Sequence, residues 1–181
     1  MMPFETLRDA NRARQAEWDT GGNITLAYAG NELAGEVGEL LEAATDLYCG
    51  YSQNEEAFRH EVADVIICCD LIALRLDLDL NHTPKLPKKL DGFGTLDAIL
   101  VAIGIQTGMI CNTIKKQERA SFGMVGAKGS LEDLQRNLDE AIYLVHYLAA
   151  ALRFDAASCV AEKFNLTSQK YGLKTKMVTH G

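Results

Sequence analysis

Apolar residues recur at helical spacing along nearly the whole chain. Leu33, Val37, Leu40 and Ala44, for example, stand three or four positions apart and form one stripe of a helix. No segment shows the strict alternation of apolar and polar residues that is typical of a strand. The pattern therefore predicts an all-α fold, with helices over about residues 3–18, 25–48, 55–77, 95–117, 131–152 and 155–169.

Turn-forming residues separate these helices, but only one segment has the composition of a linker. This segment, residues 81–94 (NHTPKLPKKLDGFG), holds two of the three prolines. The third, Pro3, suits the opening turn of the first helix, where its missing N–H costs nothing. We expect one domain over residues 1–181. Glycines inside the second helix each cost about 1 kcal/mol relative to alanine, which predicts close helix packing there; they are Gly30, Gly35 and Gly38.

Composition and charge restrict the class of protein. A hydrophobic fraction of 48% and a charged fraction of 24% are those of a globular domain. The net charge of -7 argues against nucleic-acid binding, which relies on neutralising phosphates. The N-terminus lacks the apolar core of a signal peptide, and Asp64 and Asp70 interrupt the best candidate for a membrane span. Five cysteines without a CxxC pair fit a reducing compartment. We expect a cytoplasmic protein with no membrane partner.

Two pairs of acidic residues stand at helical spacing in apolar surroundings. Glu36 and Glu39 are three residues apart, as are Glu61 and Asp64, so each pair shares one face of a helix. Two antiparallel helices would bring the four carboxylates together, and a hard divalent cation would then have to balance their charge. A solvated acidic face is the alternative. The apolar residues on both sides of Asp64 favour the metal site, with Mg²⁺ or Mn²⁺ as the ion.

Other acidic residues and the histidines bear on this site. Glu32, one turn before Glu36, is either an outer ligand or a base, or else a surface residue. Asp70 is either part of the site or a paired core carboxylate. A di-iron centre would require histidines three residues after glutamates, and none of the four histidines follows a glutamate at that spacing.

The two motifs with their flanks, LAGEVGELLEA and EVADVIICCDLIA, resemble those of the all-α nucleoside triphosphate pyrophosphohydrolases, the MazG-like proteins and their relatives the dimeric dUTPases. The resemblance extends upstream through EWDTGGNITLAYAGNELAGEVGE and includes the C-terminal KFNLTSQKYGLKTKM. It implies a helical bundle in which Mg²⁺ ions grip a nucleoside triphosphate and activate water, releasing pyrophosphate and a nucleoside monophosphate. The metal ligands and catalytic residues implied are Glu36, Glu39, Glu61 and Asp64.

The second half of the chain resembles the first, which indicates an internal duplication. We divide the chain into an intact repeat, 24–80, and a degenerate repeat, 95–171. The strings IGIQTGMICNTIKK and NLDEAIYLVHYLA align with the two motif helices. Only one of the four carboxylate positions remains acidic in the second repeat, where the aligned residues are Gln106, Met109, Asn137 and Glu140.

The second repeat and the tail carry cations and polar residues that the first repeat lacks. We interpret this as one composite site, with metal ligands from the first repeat and substrate-binding residues from the second. Any one of these lysines alone is more typical of a solvated face. The predicted substrate-binding residues are Lys115, Lys116, Lys163, Asn165, Lys170 and Tyr171.

Three points stay open from the sequence. Trp18, Tyr28 and Phe58 are candidates to stack on a base, although aromatic residues are more often core, and the base itself is not predicted. The alternative to an enzyme is a non-catalytic nucleotide-sensing or protein-interaction module on the same fold. Apolar helix faces left over after packing predict a homodimer.

Overall fold

The computed structural model describes residues 2–87 and 95–179, and this part of the chain is all-α, as predicted. Phe4 and Met177 form an isolated bridge, and the described residues contain no strand. Residues 88–94 of the predicted linker lie outside the described residues. The helices are α1 (Leu7–Trp18), α2 (Leu26–Tyr48), α3 (Glu55–Arg75), α4 (Leu96–Ser121), α5 (Leu131–Ala151) and α6 (Ala156–Lys170).

Each helix begins directly after a polar residue whose side chain accepts a hydrogen bond from a backbone N–H of the first turn, which satisfies a donor that would otherwise be unpaired. The first helix therefore starts at Leu7 after Thr6, and the prediction that it opens at Pro3 is wrong. Phe4 instead pairs its backbone with the C-terminal segment, donating its N–H to the Lys176 carbonyl at 2.8 Å. The six caps are Thr6, Thr25, Asn54, Thr95, Ser130 and Asp155.

Helices α2 to α5 form a four-helix bundle, and α3 is its most enclosed member. It packs against α2 and α5 within the bundle and against α1 and α6 outside it. This position explains why α3 is apolar nearly all the way round, since a helix covered on every side has no face to give to water. The charged residues in the middle of α3, Glu61, Asp64 and Asp70, are consequently partly or fully buried, whereas those near its ends are exposed.

The pairs α2/α3 and α4/α5 share local features. Thr25 caps α2 and Thr95 caps α4, in the same register relative to Glu36 and Gln106. Helices α3 and α5 are both 21 residues long. Just after them, Asp77 and Arg153 adopt positive φ angles of 53° and 64°.

Asp70 is a paired core carboxylate, which was one of the two readings of the sequence. It is fully buried in α3 and receives hydrogen bonds from Arg8 Nε at 2.7 Å and Asn11 Nδ2 at 2.8 Å, while His82 Nε2 lies 2.8 Å away. Burial opposes its ionisation, but the hydrogen bonds from His82, Asn11 and Arg8 together hold its pKa below the usual value. Asp70 therefore ties α1 and the chain after α3 to the centre of the fold.

The prediction from the helix-interior glycines holds at one position. At Gly30 a Cβ would lie 3.0 Å from Ile114, so α2 and α4 approach closely there. Gly35 and Gly38 have no described atom within 4 Å of that position, so close packing does not explain them.

Helix α4 presents apolar side chains to solvent. Val101, Ile105 and Met109 are 61%, 57% and 44% exposed, and they follow one another on one face. By length and composition alone α4 could cross a bilayer, and α5 with α6, bent by 105°, passes the same test as a pair. Core helices of soluble proteins pass this test too. The sequence instead points to α3 as the best candidate for a membrane span, interrupted by Asp64 and Asp70.

Candidate functional site

A cleft of about 660 Å³ opens between α1, α2, α3 and α6. Its lining combines acidic and basic side chains, most of them towards one end, with aromatic and aliphatic side chains towards the other, where Lys170 also lies. Its walls therefore come from both ends of the chain and from the predicted motif helices.

Three of the four predicted carboxylates meet at the polar end, where Glu36 and Glu39 line the cleft and Glu61 is close to both without belonging to the described lining. Glu36 and Glu39 project from α2 and Glu61 from α3, and one oxygen from each lies within 4.8 Å of the others. The three-residue spacing places the first two on one face of α2, and the packing of α2 on α3 adds the third. Three carboxylates thus converge as the sequence predicted.

The fourth carboxylate, Asp64, lines the same cleft but does not belong to this group of three. Its Oδ2 lies 2.6 Å from Nζ of Lys163 on α6, and both side chains are largely buried, with 16% and 23% exposed. A charge-assisted hydrogen bond of this length is strong, particularly away from water. Lys163 therefore reaches the cleft, as the sequence predicted, and forms an ion pair with a predicted metal ligand.

Burial raises the pKa values of Glu36, Glu61 and Asp64, and neighbouring negative charges add to the rise for Glu36 and Glu61. Burial, followed by the charges of Asp64, Glu39 and Glu61, raises the pKa of Glu36 to about 7. Burial also raises the pKa of Glu61 and of Asp64, although Lys163 opposes the rise in both. The pKa of Lys163 is raised too, because its bond to Asp64 and the neighbouring anions outweigh burial. One lysine thus offsets only part of the negative charge.

The donor set fits a hard divalent cation. The group of three supplies only carboxylate oxygens, the ligands that Mg²⁺ and Mn²⁺ prefer. Glu61 Oε2 is buried and has no hydrogen-bond partner among the described residues. A buried carboxylate oxygen normally has a partner, so this oxygen has the capacity to bind a cation.

Arg14 is a second cation at the polar end, and the sequence analysis did not select it. It lies on α1, is 5% exposed and lines the cleft. Its guanidinium stacks 3.6 Å from the centre of the Phe164 ring and donates to the Phe164 carbonyl at 3.3 Å. Burial lowers its pKa to about 10, although the charge of Asp64 opposes this change. Arg14 therefore remains a fixed cation at neutral pH.

The opposite end of the cleft is mainly aromatic and aliphatic, although Lys170 also lies there, with its Nζ 5.3 Å from the centre of the Tyr171 ring. Trp18 and Tyr171 meet edge to face with ring centres 4.7 Å apart, and they are 44% and 54% exposed. Tyr28, also partly exposed, lines the cleft with Leu71 and Leu166. Partly exposed rings beside a charged site are suited to stacking on a planar ligand.

The other predicted residues divide between the cleft and the rest of the fold. Lys170 lines the cleft, whereas Lys115 and Lys116 do not belong to its described lining. Asn165 stabilises the C-terminal segment, donating to the Met177 carbonyl at 2.9 Å and accepting from the Met177 N–H at 2.7 Å. Phe58 is a core residue, 4% exposed.

Two further residues lie beside the carboxylates. Glu32 lines the cleft, and its hydrogen bond raises the pKa of the Tyr28 hydroxyl. His60 also lines the cleft, and its Nε2 is buried without a hydrogen-bond partner among the described residues. It forms a loose group with the exposed Glu56 and Glu162.

The positions that the sequence aligns with the four carboxylates form no equivalent site among the described residues. Met109 is 44% exposed, Asn137 is buried, and Glu140 is exposed on α5. Neither of the two groups of potential metal ligands among the described residues includes them.

Known proteins add nothing to this geometry, because no protein-family model, curated protein or solved structure matches the chain.

Proposed function

We propose that this protein is a Mg²⁺-dependent nucleoside triphosphate pyrophosphohydrolase of the MazG-like type. One observation carries the proposal: three converging carboxylates, a fourth beside them, and cations at one end of a cleft whose other end is aromatic. A nucleoside triphosphate has the same division, with a planar base at one end and a charged triphosphate at the other. Mn²⁺ would serve as an alternative ion.

The metal ligands in this proposal are Glu36, Glu39, Glu61 and Asp64. Bound Mg²⁺ would supply charge neutralisation for the phosphates and lower the pKa of a bound water. A carboxylate oxygen of the group that stays free of metal would accept the proton of that water. Glu32, one turn from Glu36 on the cleft wall, supports the orientation of Tyr28 rather than the carboxylate group.

The phosphates would be held from the opposite wall. Arg14 is fixed by its stacking on Phe164 and stays charged, so it loses little freedom on binding an anion. Lys163 extends from α6 into the same end of the cleft, and Lys170 lines the cleft farther along α6, beside Tyr171. We leave Lys115, Lys116 and Asn165 out of this set. The two lysines do not belong to the described lining of the cleft, and the Asn165 side chain is hydrogen-bonded to the C-terminal segment.

The base would occupy the aromatic end, stacked against Trp18, Tyr28 or Tyr171. Stacking on aromatic side chains is worth about 1–3 kcal/mol per base and tolerates different bases. The preferred base, whether uracil, cytosine or a purine, is therefore to be identified with the panel of nucleotides described below.

We further propose that the chain is a tandem repeat in which α2/α3 keeps the metal ligands and α4/α5 has lost them. The matching caps Thr25 and Thr95, and the matching turns at Asp77 and Arg153, support this division. The site would then be composite, with metal ligands from α2 and α3 and substrate-binding residues from α6 of the predicted second repeat and from α1. In the same proposal the protein is cytoplasmic, and the exposed apolar face of α4 forms a homodimer contact.

A nucleotide-sensing module without turnover is the second candidate. The observation that favours it is the bond between Lys163 and Asp64, which engages one predicted metal ligand with a protein cation. A sensor would bind nucleotide in this cleft and leave it intact.

The experiment that separates the two is pyrophosphate release from a panel of canonical and deoxynucleoside triphosphates, first with Mg²⁺ and then with EDTA. Metal-dependent release from one or a few nucleotides is the expected result, and the preferred base identifies the substrate. No release from any nucleotide, with binding still detected by calorimetry, would reject the enzyme in favour of the sensor.

A further inference from the structure

The bond between Lys163 and Asp64 bears on how the site is loaded. Asp64 follows Glu61 by three residues on α3, so the helix places it on the same face as the group of three carboxylates. Its Oδ2 is nevertheless held 2.6 Å from Nζ of Lys163, at the opposite wall of the cleft. The fourth ligand is thus engaged by a side chain from another helix.

Lys163 is placed to act on the whole acidic group. It extends from α6, whose helix packs directly on α3, and its ammonium faces Asp64 with Glu61 and Glu36 nearby. The charge of Arg14 also acts on Asp64, but among the described residues Lys163 is the cation that forms an ion pair with it. Its ammonium reduces repulsion among the carboxylates as a divalent ion would, with half the charge.

We propose that Lys163 is an internal substitute for the metal ion, which holds Asp64 in the metal-free protein and releases it when a divalent cation binds. This inference rests on the proposed metal site. An Asp64 oxygen that accepts a short hydrogen bond from an ammonium cannot give the same lone pair to a metal, so the two partners compete.

Release also gives Lys163 a second partner. Its ammonium, displaced from Asp64 on the same cleft wall that carries Lys170, faces the position proposed for the triphosphate. One lysine thus couples metal loading to phosphate binding: metal frees the cation that the phosphates require. The coupling is reciprocal, so a phosphate that binds Lys163 favours metal on Asp64.

The test measures Mn²⁺ affinity without nucleotide, by the electron paramagnetic resonance signal of free Mn²⁺ titrated with the full chain. Lys163→Met and Lys163→Gln both remove the competing ammonium while keeping a side chain of similar length. We expect each to lower the Kd for Mn²⁺ about tenfold, as the loss of a competing charge-assisted hydrogen bond implies. Two variants guard against one failing to fold, and circular dichroism monitors both.

Two controls separate competition at Asp64 from a general change in charge. Lys115→Met removes one positive charge outside the cleft and should change the Kd less than twofold. In an Asp64→Asn background, Lys163→Met should also change the Kd less than twofold, because no bond remains to break. A tenfold gain that persists in that background would overturn the proposal, since it would be plain electrostatics. An unchanged or weaker affinity in both Lys163 variants would overturn it as well.

The outcome is distinguishable from that of the proposed function. If the Lys163 variants gain Mn²⁺ affinity but the protein releases no pyrophosphate, the proposed competition between Lys163 and metal stands and the proposed hydrolase activity is rejected. If the protein hydrolyses nucleotides but the Lys163 variants keep the wild-type Kd for Mn²⁺, the proposed hydrolase activity stands and the proposed competition is rejected.

Discussion

Replacing Glu36 by glutamine should stabilise the metal-free protein while it removes a metal ligand. Glu36 is half-buried among anions, and burial with the charges of Asp64, Glu39 and Glu61 raises its pKa from 4.5 to about 7. A carboxyl whose pKa is higher in the folded state opposes folding once it is ionised in the unfolded chain. This penalty is absent below pH 4.5, grows as the pH rises, and is complete above pH 7.

The size of the effect follows from the same shift. At about 1.4 kcal/mol per pKa unit, the change from 4.5 to about 7 corresponds to at most about 3–4 kcal/mol. Solvent reaches part of the side chain and screens it, so we expect about 1–2 kcal/mol. Glu36→Gln should therefore unfold at higher urea than the wild type at pH 8 in EDTA, with little difference near pH 4.5.

The assay is urea unfolding by circular dichroism at both pH values, with and without Mg²⁺. Glu42→Gln, at an exposed position of the same helix, is the matched control and should change stability by less than about 0.5 kcal/mol. Mg²⁺ should stabilise the wild type more than Glu36→Gln, because only the wild type has the full ligand set. A Glu36→Gln variant that is less stable than the wild type at pH 8 in EDTA would refute this explanation.

Three other predictions test the cleft and the core. Trp18 is the only tryptophan, so nucleotide binding should change the intrinsic fluorescence, and Trp18→Ala should raise KM roughly tenfold through lost stacking; an unchanged KM would place the base elsewhere. Lys170→Glu should raise KM in a steady-state assay, whereas Lys115→Glu, outside the cleft, should not, and equal effects would contradict the assigned lining. Asp70→Asn should lower the free energy of unfolding by about 3 kcal/mol at pH 7. Because the pKa of Asp70 is lower in the folded protein than in the unfolded chain, its contribution to stability is present above pH 3.8 and is lost as the pH falls through the folded value. The wild type and the variant should therefore have similar stability in urea unfolding at strongly acidic pH.

The helices could be predicted because their signals are local. Apolar periodicity and capping residues lie next to each other in the sequence, so five of the six helices begin within about a residue of the prediction. The first begins later because Phe4 bonds to Lys176, a contact between the two ends of the chain that no local pattern reveals.

The candidate site was predictable where one helix carries the information. Glu36 and Glu39 share a face of α2 by spacing alone, and α3 adds Glu61 once the two helices pack. The bond from Lys163 to Asp64 and the position of Arg14 depend on how α1 and α6 dock on α3, so spacing within a helix could not reveal them. Arg14, between Ala13 and Gln15 in the sequence, offered no signal stronger than that of any solvated arginine.

The most direct test of the central claim compares two positions that are aligned in the proposed tandem repeat. Pyrophosphate release with Mg²⁺ is measured side by side for the wild type, Asp64→Asn and Glu140→Gln, using the best nucleotide from the panel. If the first repeat alone holds the metal, Asp64→Asn should lose at least about a hundredfold in kcat/KM, and Glu140→Gln should stay within twofold of the wild type. Near-normal turnover by Asp64→Asn, or an equal loss in both variants, would contradict the account.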